Sequence, residues 1–339
     1  MDQACARPVI DSRITGGQSA AAGRWPWHVV FKRFGYLFCQ GSLITDQWVL
    51  TAAQCSINSY LSGAEVQLGA INQTGFDPNL VTRRVEYFIC HQDLTNRYEN
   101  DICLVKLSAP VNFTDYIQPV CLAAENSTFY EGTTSWVTGF GYNIYWSQAD
   151  TLQEVDVPIV GNNKCTCYFK SSYDYYSANT PTENQLCAGQ EDGLKDAFYG
   201  DLGAALVTKK DFIWVQSGIV SQNFYWLHRP TIYTRVSQYQ KWISDKVTGM
   251  QPGFITFISP GNDVDLNYTC PTSAPSTTFH FFTDYFRFNS TTPTSPNTPA
   301  TTIDKSIWSS GVSQIPITHF IPLSVFVLFL HVFVGNSGI

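Results

Sequence analysis

Ten cysteines and five Asn-x-Ser/Thr tripeptides are the places where this 339-residue chain could make or receive covalent bonds. The tripeptides begin at Asn72, Asn112, Asn126, Asn267 and Asn289, and each is an acceptor for N-linked glycan once the chain enters a secretory compartment. An even cysteine count beside them points the same way, towards oxidised pairs. Cys165 and Cys167 form a C-x-C pair, but zinc needs a second pair of ligands, and the spacing supplies none. No metal and no cofactor is expected.

The elements that must position these residues read as strands. Trp48 to Ala52, Ile102 to Leu107, Trp136 to Gly139 and Phe212 to Val220 are short aromatic and β-branched runs, punctuated by Gly, Pro and Asn. One helix stands out, where Val236, Tyr239, Ile243 and Val247 recur at spacings of three and four. A hydrophobic fraction of 44% is enough for a large buried core. Lys plus Arg number 20 against 27 Asp plus Glu, a net charge of -7 with no basic block, which excludes nucleic acid as a partner.

Composition changes after about residue 250. Residues 290–302, STTPTSPNTPATT, are too polar to pack and suit an extended, glycosylated stalk. Residues 315–334, IPITHFIPLSVFVLFLHVFV, are strongly apolar and are followed only by GNSGI. Small residues at Ser309, Ser310 and Gly311, then a spacer, then an apolar tail without trailing Lys or Arg fit a glycolipid-anchor signal better than a single span. Either implies the extracellular face of the plasma membrane. The opening residues MDQACARPVI hold no apolar run, so a secretory signal is missing from this sequence.

Four segments occur in order: RITGG from Arg13, LTAAQC from Leu50, NDICLVKL from Asn100 and GDLGAALV from Gly200. WPWHV at Trp25, QPVCL at Gln118, WVTGFG at Trp136, LCAG at Leu186 and YTRV at Tyr233 accompany them. On these motifs residues 1 to about 250 resemble the trypsin-like serine protease family, and within it the membrane-anchored members of the prostasin and testisin type. The resemblance implies an all-β fold of two packed six-stranded antiparallel β-barrels with a C-terminal helix and a cleft between the barrels. It also implies a pro-segment remnant at 1–13, a protease-like domain at 14–250, a stalk at 251–310 and an anchor signal at 311–339.

In that family a serine attacks the scissile carbonyl, a histidine takes its proton and an aspartate orients the histidine. Asp101 stands at the aspartate position, Gln54 at that of the histidine and Leu202 at that of the serine. A primary amide has no useful proton affinity near neutral pH, and a leucine has no lone pair. The histidines present (His28, His91, His228, His280, His319, His331) fall outside the catalytic motifs.

Gly200 is carried over as part of the oxyanion loop, and Asp196, Ser221, Gln222 and Asn223 as the specificity pocket, with Gln222 and Asn223 departing from the usual Trp-Gly. Ala204 and Ala205 replace the usual Gly-Pro. Arg13, Ile14 and Asp201 keep the activation pattern, in which cleavage after Arg13 frees an amine for the aspartate. The resemblance pairs Cys5 with Cys121, Cys39 with Cys55 and Cys165 with Cys187. Cys90 and Cys103 fall on segments expected to be neighbouring strands and are paired on that ground, leaving Cys167 and Cys270. Ser135 and Thr208 occupy both ends of one expected bridge, and Phe198 one end of another, whose loss implies a looser or reshaped pocket. The run YFKSSYDYY, residues 168–176, suits protein recognition.

The reading is an inactive protease homologue on the cell surface that binds a protein partner: a protease, an inhibitor or a protease substrate. Two alternatives stand beside it, an active endopeptidase cleaving after Lys or Arg and a decaying paralogue without function.

Overall fold

A computed structural model describes Cys5 and residues 18–95, 98–142, 147–170, 180–190, 196–197, 199–224 and 229–271. After a short strand β1 (Gln18–Ser19), a first group of strands follows: β2 (His28–Arg33), β3 (Tyr36–Leu43), β4 (Trp48–Thr51), β5 (Glu65–Leu68), β6 (Val81–Cys90) and β7 (Cys103–Leu107). They close in the order β2-β3-β4-β7-β6-β5 into a six-stranded antiparallel barrel. β4 shows why a β-branched and aromatic run makes a central strand: Trp48, Val49, Leu50 and Thr51 are all buried and both strand edges are paired.

After β8 (Cys121–Ala123), a second group comprises β9 (Thr134–Gly139), β10 (Gln153–Val160), β11 (Gln185–Ala188), β12 (Ala205–Lys210), β13 (Ile213–Gln222) and β14 (Thr231–Arg235). The circuit β12-β9-β10-β11-β14-β13 closes through the β12–β13 pairing, giving a second antiparallel barrel. Both barrels are those implied by the motifs.

The apolar row from Val236 is a 3-10 turn, Val236–Tyr239, running directly into a short helix near the end, Gln240–Lys246. An earlier helix, Asn162–Lys170, had too sparse a pattern to be legible, since only Cys165 and Phe169 of it are buried. In chain order these are α1 (Asn162–Lys170) and α2 (Gln240–Lys246).

The folded body does not stop at the composition change. Residues Phe254–Ile255 form β15, a parallel partner of β8, and Phe257 stacks on Phe129 with ring centroids 4.9 Å apart. Asp265 is buried and accepts hydrogen bonds from the Asn163 and Lys164 amides at 2.8 and 2.9 Å, capping α1. Cys270 bonds to Cys167 on that helix. The segment 251–270, assigned to the stalk on composition, is thus a strap on the second barrel, because a strand pairing, a ring stack, a helix cap and a disulfide outweigh its polar average. Disulfides also join Cys5–Cys121, Cys39–Cys55, Cys90–Cys103 and Cys165–Cys187.

The barrels meet through aromatic rings and buried polar pairs. Trp25 packs against Trp27, Trp136 and Trp214 with centroids at 5.8, 5.9 and 4.8 Å. Ser42 on β3 donates to Gln216 on β13 at 2.7 Å, and the His28 ring on β2 bonds Thr138 on β9 at 3.0 Å. Burial strengthens such bonds and penalises their loss.

Candidate active site

Gln54 lies in the 3-10 turn Ala53–Ser59 that follows β4, and Asp101 lies two residues before β7, which pairs with β4. Strand pairing therefore brings the two positions together. The Gln54 amide nitrogen of the side chain donates to Asp101 Oδ2 at 2.5 Å and to the Ser221 carbonyl at 2.9 Å, while its backbone N–H donates to Asp101 Oδ1 at 2.9 Å. Ser221 Oγ donates to Asp101 Oδ2 at 2.6 Å, and Thr234 Oγ1 to the Asp101 carbonyl at 2.8 Å. Asp101 is wholly buried, and burial raises its carboxyl above the usual range against the opposing hydrogen bonds from Ser221 and Gln54. All its side-chain donors named here are uncharged.

Leu202 caps the loop that leads into β12. Its carbonyl accepts from the Gln40 backbone amide at 2.9 Å, and its half-buried side chain packs on the apolar cluster shared by the two barrels. Gly203 follows at φ +85°, and a Cβ there would run into the Gln40 carbonyl and Thr51 Oγ1, so only glycine fits against the strand before Gln54.

Asp201 is held from the same side. Its Oδ1 accepts from the Gly141 amide and from Gln40 Nε2, both at 2.9 Å. Gln40 is fully buried; its Nε2 also donates to the Gly200 carbonyl at 2.8 Å, and its Oε1 accepts from the Phe140 amide at 3.2 Å. One side chain thus ties Gly200, Asp201 and the 139–141 turn. Nothing in the sequence marks it, since a glutamine on a strand is ordinary until its burial is known.

Asp196 is 2% exposed, between β11 and β12 of the second barrel. Its Oδ1 accepts from the Ala197 amide at 2.7 Å and faces the Tyr233 hydroxyl at 3.4 Å, while Oδ2 accepts from the Thr231 amide at 3.0 Å. Burial pushes its carboxyl up to about 8, opposed by hydrogen bonds from Thr231, Ala197 and Tyr233. The half-buried Asn223 donates from Nδ2 to the Ala197 carbonyl and to Thr231 Oγ1. Gln222 is buried on β13 beside Ser221. Thr231 escaped notice for the same reason as Gln40.

Ser135 and Thr208 are register partners on β9 and β12, and their hydroxyls bond at 2.8 Å. Asn112, Asn126 and Asn267 are exposed, whereas Asn72 is half-buried with its Oδ1 accepting from Thr151 Oγ1 at 3.0 Å. Arg13, Ile14, Phe198, Asn289, residues 171–176 of the tyrosine-rich run and the apolar tail lie outside the described residues. Among the described residues no helix is long and apolar enough to cross a membrane, and no three potential metal ligands gather.

Two barrels enclosing an Asp-centred cleft, with a Gly-Asp-x-Gly loop facing the turn after β4, define the architecture of the chymotrypsin-like proteases. The sequence profile described as Trypsin matches residues 14–243, and the chain is 39% identical over 257 residues to testisin from Homo sapiens, covering 70% of this chain and 79% of testisin. The chain belongs to the trypsin family of serine proteases.

Proposed function

We propose that this protein is a catalytically inactive member of its family, carried at the cell surface, that acts by binding a protease, an inhibitor or a protease substrate. The observation that carries the reading is the pair of side chains hydrogen-bonded to the Asp101 carboxyl: the Gln54 amide, which cannot accept a proton from a nucleophile, and the Ser221 hydroxyl. Leu202, with no lone pair, occupies the loop position of that nucleophile. Loss of the nucleophile alone lowers turnover by about 10⁶ in a comparable enzyme, and loss of the base with it adds little because the groups act as a unit.

The cell-surface placement rests on the tripeptides, the disulfides and the C-terminal sequence. The layout proposed is a pro-segment remnant at 1–13, the protease-like domain from Ile14, then a glycosylated stalk and an anchor signal from 311. Glycans are proposed at Asn72, Asn112, Asn126, Asn267 and Asn289. Cleavage after Arg13 is proposed as retained, with Asp201 receiving the new amine.

The test is fluorophosphonate labelling of the full-length chain, before and after cleavage at Arg13, beside trypsin and with a panel of Lys and Arg peptides. Neither label nor turnover is expected. Stoichiometric label or steady turnover, in a preparation where Gln54 and Leu202 are verified, overturns the proposal in favour of an active endopeptidase.

A further inference from the structure

Among the described residues, Asp196 is enclosed by the chain's own groups. Asp196 is buried at 2% exposure, Ala197 at 1% and Thr231 at 0%. A carboxyl placed this deep normally waits for a cation, because desolvation without a partner is costly. Among the described residues neutral donors reach it: the Ala197 and Thr231 amides, the Thr231 hydroxyl and the Tyr233 hydroxyl. Gly189 packs closely on it as well, since a Cβ there would meet Asp196 Oδ2 at 2.6 Å.

Asn223 completes the closure. It sits at the end of β13, while Thr231 begins β14, and its amide spans the gap between them by bonding Thr231 Oγ1 and, from the other side, the Ala197 carbonyl. An amide nitrogen is thereby donated into the cluster of acceptors that an incoming ammonium or guanidinium would need.

We infer that Asn223 and Thr231 form a built-in plug that occupies the cation subsite of Asp196, so that the intact chain does not take up Lys or Arg side chains there and must recognise its partner with another surface. The plug deepens the binding reading without depending on the lost catalytic residues. Its two side chains are held by hydrogen bonds to each other and to the backbone, so opening the pocket means breaking those bonds before a ligand gains any.

The experiment is a fluorescence titration of the full-length chain with p-aminobenzamidine, an aromatic amidinium that brightens on entering an apolar, anionic pocket. Four proteins are compared: the natural chain, Asn223→Gly/Thr231→Gly, the same pair with Asp196→Asn, and Asn223→Ser alone. The natural chain is expected to show no saturation to millimolar probe, the Gly/Gly variant to bind at least tenfold more tightly, and Asp196→Asn to abolish that gain. Asn223→Ser, which shortens the strut and leaves the backbone in place, is expected to gain in the same direction and decides the question should the double variant not fold. Saturable binding by the natural chain that Asp196→Asn removes overturns the inference. So does a folded Gly/Gly or Ser variant, judged by tryptophan emission, that stays silent. Fluorophosphonate labelling reports on the catalytic residues alone, so failure of the plug and failure of the inactive reading give different results.

Discussion

A single amide decides the chemistry of the cleft. With Gln54 and Ser221 as its side-chain donors, Asp101 is hydrogen-bonded by uncharged groups, the arrangement on which the proposed inactivity rests. On the proposed reading, Gln54→His with Leu202→Ser would return the elements of a triad but leave the proposed plug of Asn223 and Thr231 in place. That double variant is expected to label slowly with fluorophosphonate and to cleave Lys or Arg peptides at no more than about 10⁻³ of a trypsin control, since substrate positioning supplies much of the rate. Adding Asn223→Gly and Thr231→Gly should raise kcat/KM by at least tenfold. Equal turnover with and without the glycines would show that the plug does not limit substrate entry.

At the scale of elements, hydroxyls stand where a disulfide would close β9 onto β12. Ser135 and Thr208 are direct partners in register, so their Cβ atoms lie within the range that a disulfide spans. Ser135→Cys/Thr208→Cys is expected to form the bond spontaneously in an oxidising compartment. It should stabilise the fold by about 3 kcal/mol, a long-loop entropy gain of about 4 less about 1 for the lost hydroxyl bond. Denaturant midpoints with and without reductant measure the gain, and no shift on reduction would count against it. The strap offers a second measurement. Asp265→Ala removes the carboxylate that accepts from both the Asn163 and Lys164 amides and should cost about 1–2 kcal/mol.

For the whole molecule, the two barrels respond to pH with opposite signs. His28 on β2 bonds Thr138 on β9, and burial lowers its imidazole to about 4 from an ordinary 6.5. The unfolded chain therefore takes up a proton that the folded chain refuses, so stability is full above about pH 6.5 and falls as pH drops towards 4. Asp196 behaves the other way: its folded value of about 8 lies above the unfolded 3.8, so its contribution is full below pH 3.8 and is lost as pH rises to about 8. Melting temperature against pH for His28→Gln should lack the acid-side fall, and for Asp196→Asn the loss between about pH 4 and 8. Curves parallel to the natural chain would refute either assignment.

What the sequence determined by itself is what short contiguous segments encode. The motifs from Leu50, Asn100 and Gly200 implied both barrels, and that a primary amide is no base and an alkyl group no nucleophile follows from residue type alone. α1 was not legible, because two buried side chains in nine residues make no periodicity, and the strap beyond residue 250 was hidden by a polar average that its capping and stacking contacts override. Only the tertiary structure decided that Gln40 binds Gly200 and Asp201, and that Asn223 bonds Thr231, whose amide bonds Asp196. Those are contacts between residues on different strands and loops, and burial, which gives a common glutamine, asparagine or threonine its energetic weight, exists only once the chain has folded.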